Sequence, residues 1–545
     1  MSATDRWAWA EIDLSALSEN VKTLVKQAGR AELWATVKAN GYGHGAVEVA
    51  RTALSAGASG LCVALADEAH ELRQAKITAP ILIVSEQPET QHEQMLRDDV
   101  AATLYNEATI SNYAAEAARL GVIGRVHLKV DTGMHRVGAP IEDALVRAKQ
   151  INNLKSLCLE GVYTHFAAAD LPEHSATDLQ RQKFAEVIKL LEQNSMRPKY
   201  VHTDNSSAAI REIDSGSDMG IGIARVGIAI YGIAPSIELE SHATTLKPVM
   251  SVHARASHVQ HLKAGEGISY GLRSKLERDS TIVTLPIGYA DGIPRRLWSV
   301  GGEVLIGGKR CPIIGVVTMD QLMVNCSDAQ IKIGDEAVLL GTQGSETITA
   351  NEIASQLETI GYEIVCGISS RVPRRYFSPV KLTIKTLQDT ARLAEIIAAH
   401  SRPRDMILLS GEMGAGKTTF TQSFGRALGI TEPITSPTFN LLHNYGTGRM
   451  SLHHADLYRL ERTGELSDLG LDELQDSGGI VIVEWGDIVG EDLGDALIIR
   501  ISHSADVNAI ESRTIEIDLR GSQWASRWQK LTDELVSKLN NSVRG

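Results

Sequence analysis

The sequence predicts an α/β chain of three domains: a (β/α)8 TIM barrel over 1–238, an all-β domain over 239–380 and a P-loop α/β NTPase domain over 381–545. Three observations predict it. Eight short apolar runs, most followed by an amphipathic stretch, fill the first 235 residues. From about Pro248 helical periodicity nearly vanishes, and short strands with glycine turns replace it. Around Ser378 to Thr386 helices return, and a strand then runs into a glycine loop and a helix. At 545 residues the chain is too long for a single core.

The eight runs are LWATVKA, GLCVALA, PILIVSE, VAATLYN, RVHLKVDTG, LEGVYTHFA, KYVHTDN and ARVGIAIYG. Between them lie helical stretches such as ADEAHELRQA. Lys38, Arg136, His165, Asn205, Ser206 and Arg225 fall at the strand ends. In this barrel the loops that follow the strands form the active face. The segment ELWATVKANGYGHG, 32–45, sets a lysine at the end of an apolar run and follows it with Gly41, Gly43 and Gly45. That pattern reads as a buried strand opening into a loop whose backbone something approaches closely.

The second domain is read from VMSVHARASHVQ, STIVTLPIGYADG, GGEVLIGGKRCPIIG, QLMVNCS and EAVLLG, with a helix at NEIASQLETIGYE and an end near RVPRRYFSP. In the third, TLQDTARLAEIIAAH reads as a helix with Thr386 and Asp389 placed as a capping box. RDMILLSGEMGAGKTTFTQSFGRALG is strand, loop and helix, with Gly429 as its C-terminal cap. GGIVIVEWGD is a buried strand ending in an acid, and Trp524, Trp528, Leu531, Leu535 and Leu539 repeat at helical spacing.

Composition narrows the function classes. A net charge of −13 argues against a surface that coats nucleic acid. Five widely spaced cysteines with no C-x-x-C predict a reduced chain without a structural zinc site. No apolar run reaches the ~20 residues of a membrane span, and MSATDRWAWAEIDLSAL has no signal-peptide pattern, so a cytoplasmic protein is expected.

An anion-binding set of Asn205, Ser206, Arg225 and Gly227 falls at later strand ends, and a lysine able to form a Schiff base, a phosphate cradle and a group facing a pyridine nitrogen are what pyridoxal phosphate (PLP) requires. On VKANGYGHG, HLKVDTGMHRVG, YTHFAAAD, HTDNSSA, RVGIAIYG, ISYGL, LPIGYADG, MDQ and RVPRRY, residues 5–378 resemble alanine racemase, a fold-type III PLP enzyme. The resemblance implies the following roles. Lys38 carries the cofactor, Tyr42 reaches its phosphate, Ser206, Gly227 and Ile228 complete the phosphate site, and Asn205 is a further cofactor-binding residue. Arg225 faces the pyridine nitrogen, His165 packs beside the ring, and His202 stands behind Arg225. Lys38 and Tyr270 are the two catalytic bases, with Tyr270 reaching in from a second subunit, so a homodimer is expected. Arg136 and the Met319 backbone bind substrate, Tyr289 lines the entrance, and Lys129 matches a lysine often carbamylated. Thr318 and Ser370 depart from the family pattern, which often has cysteine and tyrosine there. The competing readings are a decarboxylase or another small-amino-acid racemase on the same barrel, and a PLP carrier without catalysis.

GEMGAGKT, 411–418, fits G-x-x-x-x-G-K-[ST] after a strand and before a helix, the context of a phosphate-binding loop. Lys417 would reach phosphates and Thr418 a Mg²⁺ ion. With TSPTFN, HHADLYRL and VIVEWGD, residues 385–540 resemble TsaE, the ATPase that assists threonylcarbamoyladenosine formation on tRNA. The resemblance implies an ATP site of Gly411, Glu412, Met413, Gly414, Ala415, Gly416, Lys417, Thr418, Thr419, Asp456 and Trp485, with Thr418 and Glu484 on the metal. It implies TsaD and TsaB as partners, and the acidic charge predicts that they, more than this domain, hold the tRNA. His453 and His454 read as strand packing. The rival here is a small-molecule P-loop kinase.

Overall fold

The computed structural model describes residues 6–211, 222–377, 380–437, 441–458, 469–485, 493–503, 512–520 and 523–539. It divides into two compact units, 1–376 and 377–545.

In the first unit, β1 (Ala8–Asp13) precedes eight parallel strands: β2 (Glu32–Thr36), β3 (Gly60–Val63), β4 (Ile81–Ile83), β5 (Ala101–Leu104), β6 (Gly124–Lys129), β7 (Leu157–Tyr163), β8 (Tyr200–His202) and β9 (Ile223–Val226). All eight coincide with the runs read from sequence. Their order is β8-β7-β6-β5-β4-β3-β2-β9. The two ends meet where the Arg225 amide donates to the Asp204 carbonyl at 3.1 Å, so the sheet curls into a nearly closed barrel. Trp34, Cys62, Leu82, Ala101, Tyr200 and Ile223 fill one level of the interior. The helix Leu14–Gln27 shows how the outer layer docks. Asp13 caps it by accepting from the Ala16 amide at 2.8 Å, and Leu14, Leu17, Val21 and Leu24 face the core. Such a cap is worth ~1 kcal/mol.

β1 does not belong to the barrel, although the sequence-drawn boundary puts it there. It pairs antiparallel with Met250–Arg255, setting Trp9 opposite His253. The sheet of the β domain runs Lys309–Pro312, Glu303–Ile306, Glu336–Gln343, Met250–Arg255, β1 and Arg374–Phe377, with Glu346–Ile348 on the side of Glu336–Gln343. Trp9 stacks on His253 at 5.4 Å, and the Arg375 guanidinium lies 4.2 Å from the indole. The first and last strands of the unit thus close one sheet, which ties RVPRRY to the start of the chain.

The second unit has a seven-stranded sheet in the order Val380–Ile384, Arg513–Arg520, Ala496–His503, Met406–Ser410, Ile480–Glu484, Leu452–Asp456 and Leu442–Tyr445. Met406–Ser410 lies near the centre, parallel to both neighbours. The helix Leu387–His400 carries the expected reciprocal cap: the Asp389 amide donates to Thr386 Oγ1 and the Thr386 amide to Asp389 Oδ2, both at 3.1 Å. Helix Lys417–Ala427 ends before Gly429, whose φ of +86° is the left-handed terminus expected of it. Trp524, Trp528, Leu531, Leu535 and Leu539 are all buried, with the last four on helix Ala525–Leu539. No helix among the described residues is long and apolar enough to cross a membrane.

Candidate active sites

Lys38 follows β2 by two residues and opens an unusual turn. Ala39, Asn40, Gly41, Tyr42 and Gly43 have φ of 50°, 54°, 61°, 52° and 82°, five left-handed residues in succession. That conformation costs an L-residue ~1–2 kcal/mol, so neighbours must hold it. The Ala39 amide donates to Glu68 Oε1 at 2.6 Å, the Gly45 amide to the Asn40 carbonyl at 2.8 Å, and Arg374 Nε to the Gly43 carbonyl at 2.9 Å. The groups that come close to this backbone belong to the chain itself. A Cβ on Gly43 would lie 2.3 Å from the Val365 carbonyl oxygen, and one on Gly45 1.9 Å from the Tyr376 hydroxyl.

The turn places Lys38 and Tyr42 in a cavity of about 620 Å³, a size suited to a cofactor. Arg136, His165, Asn205, Ser206, Arg225, Gly227, Ile228 and Lys129 line the same cavity. Among the described residues its lining holds two lysines and two arginines and no carboxylate. Such a wall suits a ligand with a phosphate and a carboxylate. Burial and the Arg136 charge hold the Lys38 amine below its ordinary lysine value. Burial, Arg225 and Arg136 bring Lys129 down to about 8. The Gly227 amide donates to Ser206 Oγ at 2.8 Å, and a Cβ on Gly227 would lie 2.5 Å from the Tyr42 hydroxyl. That small backbone cradle beside a hydroxyl fits a phosphate.

Arg225 sits inside β9, not at its end as the sequence suggests. Its Nη1 donates to His202 Nδ1 at 2.7 Å, and its Nη2 to the Thr164 and Thr203 carbonyls at 2.9 and 3.1 Å and to His165 Nδ1 at 3.2 Å. The Tyr163 ring centroid lies 4.9 Å from the guanidinium. His202 therefore stands behind the cavity, as expected, while His165 reaches its wall. Burial and Arg225 hold both imidazoles well below the usual histidine range, hence neutral.

Tyr270, Met319 and Tyr289 do not line this cavity. They are 74%, 52% and 41% exposed, and so is their neighbour Leu272, at 62%. Hydrogen bonds tie the three loops that carry them: Ser269 Oγ donates to the Val316 carbonyl at 2.8 Å, and the Tyr289 and Ala290 amides to the Thr318 and Met319 carbonyls at 2.9 and 3.0 Å. Within one chain, then, the first cavity has one of the two expected bases. Sequence reading also missed Tyr163, Tyr362 and Cys366 in the lining. Tyr362 and Cys366 belong to the short helix Gly361–Gly367, remote in sequence from every barrel strand, and no local pattern marks them.

A second cavity, of about 400 Å³, follows the strand Met406–Ser410. Met413, Gly414, Gly416, Lys417, Thr418, Thr419, Asp456, Glu484 and Trp485 line it, as do Ser436 and Tyr458. Gly411, Glu412 and Ala415 do not, and a Cβ on Gly411 would lie 2.1 Å from the Ile501 carbonyl oxygen. Asp456 and Glu484 are register partners at the ends of adjacent parallel strands. Thr418 Oγ1 donates to Glu484 Oε2 at 3.1 Å. Lys417 Nζ donates to the Gly411 and Glu412 carbonyls at 2.7 and 3.0 Å and lies 3.7 Å from the Trp485 ring centroid. The two histidines differ in role. His453 Nδ1 meets Asn444 Oδ1 at 2.7 Å, which is strand packing, whereas His454 Nε2 meets Glu484 Oε1 at 3.0 Å and so touches the site.

Comparison with known proteins matches these two units to different families. Residues 12–235 match the alanine racemase N-terminal domain and 249–376 the alanine racemase C-terminal domain. Alanine racemase of Symbiobacterium thermophilum is 42% identical over 372 residues, which cover 68% of this chain and 97% of that one. Alanine racemase 1 of Bacillus subtilis is 41% identical over 377 residues, 68% of this chain and 93% of that one. The chain belongs to the alanine racemase family. The solved alanine racemase of Bacillus anthracis with bound L-Ala-P, at 39% identity, aligns with a TM-score of 0.65 over 68% of this chain and 95% of that one. Residues 384–515 match the threonylcarbamoyl adenosine biosynthesis protein TsaE, an ATPase family. The chain is thus an alanine racemase fused to a TsaE-type domain, and the racemase family implies PLP.

Proposed function

We propose that the first unit interconverts L- and D-alanine, supplying D-alanine for peptidoglycan, by a two-base reaction on PLP in the cytoplasm. Lys38, half-buried in the cationic cavity with its basicity lowered, is the observation that carries this reading. When bound, PLP withdraws electrons from the Cα of an attached amino acid and so acidifies its proton. Lys38 moves that proton on one face, and the partner subunit's Tyr270 moves one on the other. Tyr42, Asn205, Ser206, Gly227 and Ile228 would hold the phosphate, with His165 beside the ring and His202 fixing Arg225. Arg136 and the Met319 backbone would orient the substrate carboxylate. Arg225 keeps its protons, so it would leave a pyridine nitrogen facing it unprotonated and temper electron withdrawal there, disfavouring transamination. The exposed loops bearing Tyr270, Leu272, Tyr289 and Met319 support a homodimer with sites built by two chains.

The second unit, in our reading, is a Mg²⁺-dependent ATPase acting in threonylcarbamoyladenosine formation on tRNA with TsaD and TsaB. Thr418 and Glu484 offer the oxygen ligands that Mg²⁺ prefers, beside the phosphate loop. Asp456, hydrogen-bonded through Ser436 at 2.6 Å, would place the attacking water, and Trp485 would lie beside the nucleotide.

The test is direct. Purified protein supplied with PLP and L-alanine should form D-alanine, and Lys38→Ala should form none. A wild type that yields no D-alanine would falsify the racemase reading. ATP binding should likewise disappear in Lys417→Ala, and retained binding would remove the ATPase assignment.

A further inference from the structure

Behind the first cavity a buried row of polar side chains crosses the barrel. Arg225 Nη1 donates to His202 Nδ1 at 2.7 Å, and His202 Nε2 lies 2.9 Å from His127 Nδ1. His127 Nε2 then faces Glu160 Oε2 at 3.4 Å. Both atoms are buried and neither has a hydrogen-bond partner of ordinary geometry among the described residues, which leaves them to face each other across this long contact. The order of protons along the row is forced. A guanidinium only donates, so His202 Nδ1 must carry a lone pair and its proton sits on Nε2. His127 Nδ1 must therefore accept, which puts the His127 proton on Nε2, aimed at the carboxylate.

The rings cannot turn out of this order. His202 stacks on Tyr163 at 4.6 Å with 9° between planes, and His127 stacks on Tyr200 at 5.9 Å. His127 presses so closely on β7 that a Cβ on Gly161 would lie 2.5 Å from its Nδ1. Burial keeps both imidazoles below the usual histidine range and so neutral, and a neutral imidazole has one donor and one acceptor to place.

We propose that Glu160 and His127 are positioning residues for Arg225. Both ends of the row require the same order: the guanidinium needs the His202 lone pair, the carboxylate receives the His127 N–H, and together they hold the two rings in place behind Arg225. The opposite order would set an N–H of His202 against Arg225 in a buried site, with neither donor satisfied. This role for Arg225 rests on the PLP reading above, while the proton order itself does not.

Solid-state ¹⁵N spectra of histidine-labelled full-length protein, with and without PLP, report the tautomers. His127 and His202 should both carry their proton on Nε2 in the wild type. Glu160→Gln keeps a carbonyl acceptor and should preserve that order. In Glu160→Ala the Arg225 guanidinium still requires the His202 lone pair, so the His127 Nε2 proton loses its acceptor; its ¹⁵N resonance should shift and the PLP dissociation constant should rise about tenfold. The variant should also raise the share of turnovers that end in transamination. A wild-type His202 protonated on Nδ1 overturns the proposal without any variant, as does a Glu160→Ala protein whose His127 resonance and PLP dissociation constant are both unchanged. Failure of the wild type to bind PLP strikes the cofactor reading instead and leaves the spectra of the cofactor-free protein to decide the proton order.

Discussion

Arg374 Nε donates to the Gly43 carbonyl at 2.9 Å, so the last strand of the β domain grips the turn that begins at Lys38. The same guanidinium holds the Ser369, Val372 and Ile368 carbonyls at 2.5, 2.7 and 2.6 Å. Arg374→Ala releases all four. It should cost about 2–3 kcal/mol of stability in urea unfolding, the scale of hydrogen bonds from a charged donor. Because the turn sets Lys38, PLP affinity should fall in parallel, measured by titration of cofactor absorbance. Stability lost with affinity intact would mean the turn holds itself.

Lys129 gives a pH signature. Its folded value is about 8, and an unfolded lysine titrates near ~10.4. Between these the unfolded chain holds more protons, so stability rises with pH across the window. Lys129→Met should flatten the rise between pH ~8 and ~10, seen as a smaller difference in urea midpoints. An identical pH slope in the variant would contradict the shift.

A racemase site divided between subunits, as proposed above, predicts complementation. Lys38→Ala and Tyr270→Phe should each be nearly inactive alone. Unfolded together and refolded, the mixture should recover about a quarter of wild-type sites, since half the dimers are mixed and each has one intact site. No recovery in a mixture shown to contain hybrid dimers would place Tyr270 and Lys38 in the same chain's site.

His454 touches Glu484, whose other oxygen accepts from Thr418. His454→Ala should weaken Mg²⁺-dependent ATP binding roughly tenfold by freeing that carboxylate, the usual scale for an outer-shell partner. Calorimetry with and without Mg²⁺ separates this from a general loss of nucleotide affinity. Equal weakening in both would deny His454 a role through the metal.

The barrel strands were legible because apolar runs of β-branched residues repeat at regular intervals, and the phosphate loop because its glycines sit between a strand and a helix. β1 was not legible as part of the β domain, since AWAEID carries no mark of a partner far along the chain. His127 escaped notice because it lies mid-strand in RVHLKV, where alternation reads as ordinary packing, and its partner Glu160 lies on the next strand. Tyr270 was named through resemblance. It is 74% exposed and lies outside the Lys38 cavity, so nothing within one chain marks it as a site residue. From sequence His454 reads as packing, because a histidine beside a histidine in an apolar strand gives no hint that only one of them faces a carboxylate.

The space that a side chain on Gly43 or Gly45 would need is taken up by Val365 and Tyr376 of the same molecule. A descendant that had abandoned racemisation altogether would still be compelled to keep both glycines in order to fold. Their survival across distant lineages would then testify to architecture, and a search for active relatives should weigh Lys38 and Arg225 well above the glycines around them.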